Sequence, residues 1–256
     1  MEFTIKKPAH LIALFFLTLS FLILIIFPII SFFLPVATIP DYLDQFPSTV
    51  QVAIEILTLL IQLVIAFFLL LIVPLLWYVL VNKINLKEIL SRIKLTKQGV
   101  DIAILWGFIL VVFIFMILLG IGFLLTQLGV NTDNISNITE ISKIFSPISL
   151  FILTIIQPIG EEIFFRGYLL EKLTTLSGKT SAILITGVLF GLAHLSYGNI
   201  YPAIMTGIIG IFLAILVIKT KNLYASIFAH ILYNITSLTL YFISMNYVSQ
   251  TSALIL

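Results

Sequence analysis

The 256 residues are 61% hydrophobic and only 9% charged, with 13 basic and 11 acidic side chains. A soluble domain carries about a quarter charged residues, so this chain cannot cover a water-facing globule and is an integral membrane protein by composition. The net charge of +2 gives no footing for a nucleic-acid partner, and the absence of cysteine removes disulfides, thiolate nucleophiles and Cys-based metal sites.

In chain order, Lys6 and Lys7 precede an apolar run from Leu11 to Leu34. That run exceeds the roughly 7–15 residues of a signal-peptide core and reaches the about 20 residues a spanning helix needs. It is therefore expected to be a retained first span. Further windows of spanning length follow at 51–81, 100–128, 146–170, 180–197, 201–218 and 222–245. Lipid offers no partner to a bare backbone amide, so these windows are expected as helices. The fold class is all-α, a polytopic membrane bundle of about seven to eight transmembrane helices. No composition break divides it, and residues 1–256 are taken as a single membrane domain.

Basic residues cluster in alternate loops: Lys6 and Lys7, then Lys83 to Lys97, then Lys172 and Lys179, then Lys219 and Lys221. The loops between hold Asp41 and Asp44, or Asp133 and Glu140, with Lys143 the basic exception. Lysine and arginine stay on the cytoplasmic side, which predicts a cytoplasmic N-terminus, in the cell membrane for a prokaryotic source. Within the basic loop, "NLKEILSRIKL" spaces Leu86, Ile89, Leu90 and Ile93 as one helical face, the pattern of a short helix lying on the membrane surface. Asn134 and Asn137 open N-x-S/T sequons, a motif common by chance.

Charged groups inside a bilayer cost about 2.5–3.5 kcal/mol each on insertion scales and normally face a bundle interior. Three such groups stand out. In the fourth window Glu162 and Arg166 share a helical face, an ion pair by spacing, with Glu161 about 100° round. In the fifth, Phe190 stands four residues before His194, and in the seventh His230 stands four before Asn234. There is no H-E-x-x-H, no G-x-S-G serine and no Asp central to any window. This disfavours zinc-helix, serine and aspartyl proteolysis. A Glu–His pair can take a proton from water, and a second His with an Asn can donate to an oxyanion. Alternatively, Glu161, His194 and His230 form a two-His, one-carboxylate set of the kind that holds one catalytic zinc.

"EEIFFR", "FGLAH" and "HILYN" fit E-E-x-x-x-R, F-x-x-x-H and H-x-x-x-N in order, and over residues 147–237 the chain resembles the CAAX-protease and bacteriocin-processing family of intramembrane endopeptidases, which includes the type II CAAX prenyl endopeptidases. The resemblance implies a bundle of about eight helices with a cavity open to the cytoplasm. It implies Glu161 as the water-activating carboxylate, His194 as its partner, and His230 and Asn234 as oxyanion stabilisers, supported by Glu162, Arg166 and Phe190. Both metallo and metal-independent glutamate mechanisms have been put forward for the family, so no cofactor is fixed and one zinc stays open. The substrate it implies is a membrane-associated peptide or a lipidated protein. The competing reading is a non-catalytic multispan immunity or scaffold protein that keeps the polar cluster for packing.

Overall fold

The structure is a computed structural model, and it describes residues 3–34, 43, 45–129, 138–195 and 200–253. Every regular element among them is helical, as lipid demands of a backbone that must satisfy its own amides. In chain order these are α1 (Pro8–Phe33), α2 (Ser48–Asn82), α3 (Leu86–Arg92), α4 (Val100–Gln127), α5 (Ile138–Ser142), α6 (Pro147–Leu192), α7 (Tyr201–Thr220) and α8 (Leu223–Ala253). Six of them are long and apolar enough to cross a membrane: α1, α2, α4, α6, α7 and α8. The sequence windows 146–170 and 180–197 both map onto the 46-residue α6, which ends at Leu192, short of the second window's end. Its backbone leaves helical geometry at Gly178 (φ 81°, ψ 167°), a conformation open mainly to a residue without Cβ. Divided there, α6 supplies two arms, and six spans become the seven windows. The acidic residues Asp41, Asp44 and Asp133 and the sequons at Asn134 and Asn137 lie outside the described residues.

Prolines shape the first two spans. Pro28 and Pro74 each follow a turn widened to π geometry, at Leu22–Ile26 and Ala66–Ile72. A proline ring clashes with the carbonyl four residues back and donates no hydrogen bond. Leu24 and Leu70, the residues four back, lie in those widened turns, which is where the relief is needed. Two further turns are widened in the same way: Tyr78–Asn82 at the end of α2, and Ile163–Leu169, which follows Glu162 and contains Arg166.

The surface helix α3 is docked more firmly than its sequence suggests. Asn85 caps it by accepting the Glu88 N–H at 3.0 Å. Ile89 and Ile93 are buried, with Ile93 against the bare face of Gly167, whereas Leu86 is exposed. The Leu223 N–H donates to the Lys94 carbonyl at 2.9 Å, and Asn222 Nδ2 donates to the carbonyls of Thr96 and Gln98, each at 3.1 Å. At the opposite end of the bundle, Glu55 of α2 accepts the Ser146 N–H at 2.8 Å and the Ser149 hydroxyl at 2.6 Å. An acid within an apolar window is thus tied to the N-terminus of α6, where unpaired amides favour negative charge.

The second arm of α6 meets α7 through glycine. A Cβ built on Gly191 would lie 2.5 Å from the Ala203 carbonyl oxygen, and one on Gly187 would lie 3.3 Å from the Gly207 oxygen. Small residues four apart let two backbones touch, the packing that works without a water-driven hydrophobic effect. Gly191→Ala should therefore destabilise by about 1–3 kcal/mol, as overpacked interfaces do. Gly120→Ala on α4, with nothing within 4 Å of the new methyl, should be neutral. Unfolding of the purified proteins in detergent measures both.

Candidate active site

The first arm of α6 carries Gln157, Glu161, Glu162 and Arg166, and the residues around the two glutamates are almost wholly enclosed. Glu161 is 6% exposed, Glu162 0%, Arg166 1% and His230 6%. The spacing of Glu162 and Arg166 gives the expected ion pair, with Arg166 Nη1 2.7 Å from Glu162 Oε1. The guanidinium has two more holds. Its Nη2 donates to the Gly210 carbonyl of α7 at 3.2 Å, and its Cζ lies 4.0 Å from the centroid of the Phe190 ring. Gly210 leaves room here, since a Cβ would lie 3.0 Å from both Arg166 Nη2 and Phe190 Cδ1, close enough that one of them would have to give. Carboxylate, carbonyl and ring face together meet a charge that lipid would otherwise leave bare.

Glu162 also receives His230. Nδ1 of that ring donates to Glu162 Oε1 at 3.0 Å, which turns Nε2 toward Glu161, 3.8 Å from its Oε2. The other oxygen of Glu161, Oε1, accepts the side-chain amide of Gln157, one turn earlier on the same helix, at 2.8 Å. The two glutamates therefore have separate settings. Glu162 is bound by an arginine and a histidine, while Glu161 has one oxygen fixed and the other facing an imidazole across a gap too long for a direct hydrogen bond.

His194 lies elsewhere than the sequence windows suggest. The second arm of α6 ends at Leu192, and His194 occupies the turn that follows. Its Nδ1 donates to the Phe190 carbonyl at 2.8 Å, satisfying one of the acceptors a helix end leaves open. A carbonyl can only accept, so Nδ1 carries the proton and Nε2 of the neutral ring presents a lone pair. Phe190 joins the two histidines: its ring centroid is 4.6 Å from that of His194 and 5.7 Å from that of His230. His194 makes no hydrogen bond or ion pair with a carboxylate among the described residues. Asn234 follows His230 by one turn of α8, half-buried and without a hydrogen-bond partner among the described residues.

The structure thus links Glu161, Glu162, Arg166, Phe190 and His230 in one chain of contacts, with His194 on the same phenylalanine. Gln157 and Gly210 went unnoticed in the sequence, although Gln157 stands one turn before Glu161 in an apolar run. Among the described residues no three His, Asp or Glu side chains gather as a site able to hold a metal ion. Glu161, His194 and His230 therefore do not fit zinc in this arrangement.

Comparison with known proteins agrees with the motif resemblance. Residues 143–236 match the model of a family described as type II CAAX prenyl endopeptidase Rce1-like, a region that includes every residue of the cluster. The chain is 29% identical over 143 residues to the "Putative membrane peptidase YdiL" of Bacillus subtilis (strain 168), covering 54% of this chain and 56% of that relative. The match thus spans little more than half the length of the curated relative. No solved structure matches the chain. Family and relative together point to a membrane protease.

Removing Arg166 tests the cluster as a structural unit. Arg166→Leu leaves Glu162 buried with His230 as its remaining partner, and breaking a buried pair in this way costs about 3–5 kcal/mol. Arg166→Lys should recover only part of that, because a point charge cannot span Glu162 and the Gly210 carbonyl as a guanidinium does. Detergent-resistant folded fraction against temperature checks the order wild type, Lys, Leu.

Proposed function

We propose that the chain is an intramembrane endopeptidase that hydrolyses peptide bonds of membrane-associated substrates, lipidated proteins among them, with Glu161 as the base that activates water. The observation that carries this reading is the 3.8 Å gap between Glu161 Oε2 and His230 Nε2. With Nδ1–H committed to Glu162, Nε2 of a neutral His230 ring has only a lone pair to offer. Two acceptors face each other, and a water that donates one hydrogen to each would turn its own lone pairs outward, toward a substrate carbonyl.

Attack by that water forms the new C–O bond as its proton passes to Glu161. Collapse of the tetrahedral intermediate breaks the C–N bond, and Glu161 returns the proton to the leaving amine. Gln157 keeps one carboxylate oxygen occupied so that the other receives the proton. Glu162 and Arg166 act through His230 by fixing its tautomer and its ring. The amide of Asn234 has donors to offer an oxyanion, and the bare Nε2 of His194 is suited to accept an N–H of the leaving amine. No step is routed through a metal. The basic end of the bundle is assigned to the cytoplasm, with the N-terminus there.

Glu161→Gln should abolish cleavage of a membrane-peptide library by the purified protein while its melting stays near wild type. His194→Ala should lower turnover less than Glu161→Gln does, and Asn234→Ala should lose about 10²–10³-fold for one oxyanion donor. Turnover should survive chelation. Stoichiometric zinc that vanishes in both His194→Ala and His230→Ala, with chelator-sensitive activity, would overturn the water-base route. Wild-type cleavage by Glu161→Gln would overturn Glu161 as the base, whereas absence of cleavage by the wild-type protein would favour the scaffold reading, in which the buried network serves packing alone.

Orientation is read separately in intact cells. Because the chain has no cysteine, single-cysteine variants report one position each. An impermeant thiol probe should label Leu128→Cys and leave Lys87→Cys untouched. Labelling of Lys87→Cys would place the basic end outside.

A further inference from the structure

Residues 3–7, ahead of α1, are held against it by one buried ring. The Thr4 N–H donates to His10 Nδ1 at 3.0 Å. Contacts within the segment are longer, with Lys6 N–H 3.4 Å from Thr4 Oγ1 and Lys7 N–H 3.5 Å from the Thr4 carbonyl. Phe3 lies between two rings, stacked on His10 and on Trp77 of α2, with centroids 5.7 Å apart in each case. We propose that this arrangement is a proton-operated clasp, in which protonation of His10 at Nδ1 lets go of Thr4 and withdraws Phe3 from Trp77.

The partner sets the tautomer. A backbone N–H can only donate, so Nδ1 accepts and the proton of the neutral ring sits on Nε2. His10 is 0% exposed, and its Nε2 meets no hydrogen-bond partner among the described residues. A second proton is therefore ill placed. On Nδ1 it would confront the Thr4 N–H, donor against donor, and its charge would stand in the first turn of α1, at the positive end of the helix dipole. A buried charge without a partner is costly enough that the ring must stay neutral or reach water. No carboxylate among the described residues bonds to it. Lys6 and Lys7 of its own segment are cations. On α2, packed against α1, the titratable groups at this end are Tyr78 and, just past the helix, Lys83. Beyond them on α6 stand Tyr168, Glu171 and Lys172. Glu171 is already engaged, accepting the Tyr78 hydroxyl at 3.1 Å and pairing with Lys172 Nζ at 3.1 Å.

The cover over the ring is thin. Phe3 is 39% exposed, and Ile5, Lys6 and Lys7 beside it are exposed, so opening moves a short segment and leaves the span in place. What it uncovers lies against the support of the site. Trp77 meets Tyr168 edge-on at 6.4 Å, and Tyr168 belongs to the widened turn of α6 that contains Arg166. The clasp thus rests on the stretch of helix that seats the arginine, and it answers to the pH of the aqueous phase at the basic end of the bundle.

The test uses the full chain in neutral maltoside detergent with Trp106→Phe, a change on the lipid-facing side of α4 that leaves Trp77 as the sole tryptophan. Acrylamide quenching of its fluorescence is followed from about pH 8 to about pH 5, the range in which histidine changes charge. Trp77 should be shielded at the upper end and become quenchable in a single-proton step on acidification, with circular dichroism unchanged. His10→Asn keeps an acceptor near the position of Nδ1 without a titrating ring, and His10→Gln removes the titrating ring as well. Neither should show the step. Phe3→Ala should leave Trp77 quenchable across the whole range. A parent without a step, a step that survives in either His10 variant, or a step that coincides with loss of helix signal would overturn the clasp. Trp77 still shielded in Phe3→Ala would overturn it too. None of these readings involves cleavage, so the clasp and the peptidase reading stand or fall separately.

Discussion

The chain keeps a full positive charge inside a helix bundle, and much of its architecture follows from having to accommodate that charge. Arg166 would be costly anywhere in the hydrocarbon. Here it is met by Glu162 on its own helix, by a carbonyl on α7 and by the face of Phe190. Each of those partners imposes a condition in turn. A side chain at Gly210 would crowd the guanidinium and the ring, α7 must approach closely, and Phe190 must sit where it also meets two histidine rings. Arranging a charge pair this tightly makes the surrounding geometry stiff, and a stiff surround is what a chemical site needs. The same glutamate that neutralises Arg166 also sets the ring of His230. Structural and chemical duties therefore share one carboxylate, while Glu161 beside it is held by a neutral amide alone.

How far this was legible in the sequence depended on range. Helical periodicity reaches one turn, so the pairing of Glu162 with Arg166 and the offset of Glu161 were visible in the spacing. The apolar windows were visible for the same reason, and the membrane bundle followed. Contacts between helices were not. Nothing within "FAHILYN" says that His230 faces the two glutamates of α6, and nothing in "VLFGLAH" says that the helix ends before its histidine. The motif resemblance supplied the grouping that periodicity could not. Gln157 was overlooked because a lone amide in an apolar run looks like an ordinary polar interruption. Glu55 was overlooked because its partners, Ser146 and Ser149, lie about 90 residues on. The two windows on α6 were visible in the sequence, whereas the φ of Gly178 that separates its arms is something a sequence does not display.

The two ends of the bundle are built by different means. Among the described residues, one end is tied by a carboxylate seated on the start of a helix and by the Ser142 and Tyr241 hydroxyls, 2.7 Å apart. The other is a mesh of backbone hydrogen bonds, capped turns and lysines into which α3 is set as a wedge. The site lies between them, on α6 and α8, with α7 supporting its arginine.

The glycine contact between α6 and α7 has a thermal consequence. Interfaces that expel water owe their strength to a term that fades on cooling and brings a large heat-capacity change with it. The seam of Gly187, Gly191, Gly207 and Ala203 expels lipid chains, which are as apolar as the surfaces they leave. What holds it is contact between backbone atoms, whose strength depends little on temperature. The seat of Arg166, which leans on α7 just beyond that seam, is accordingly as firm in a cold membrane as in a warm one.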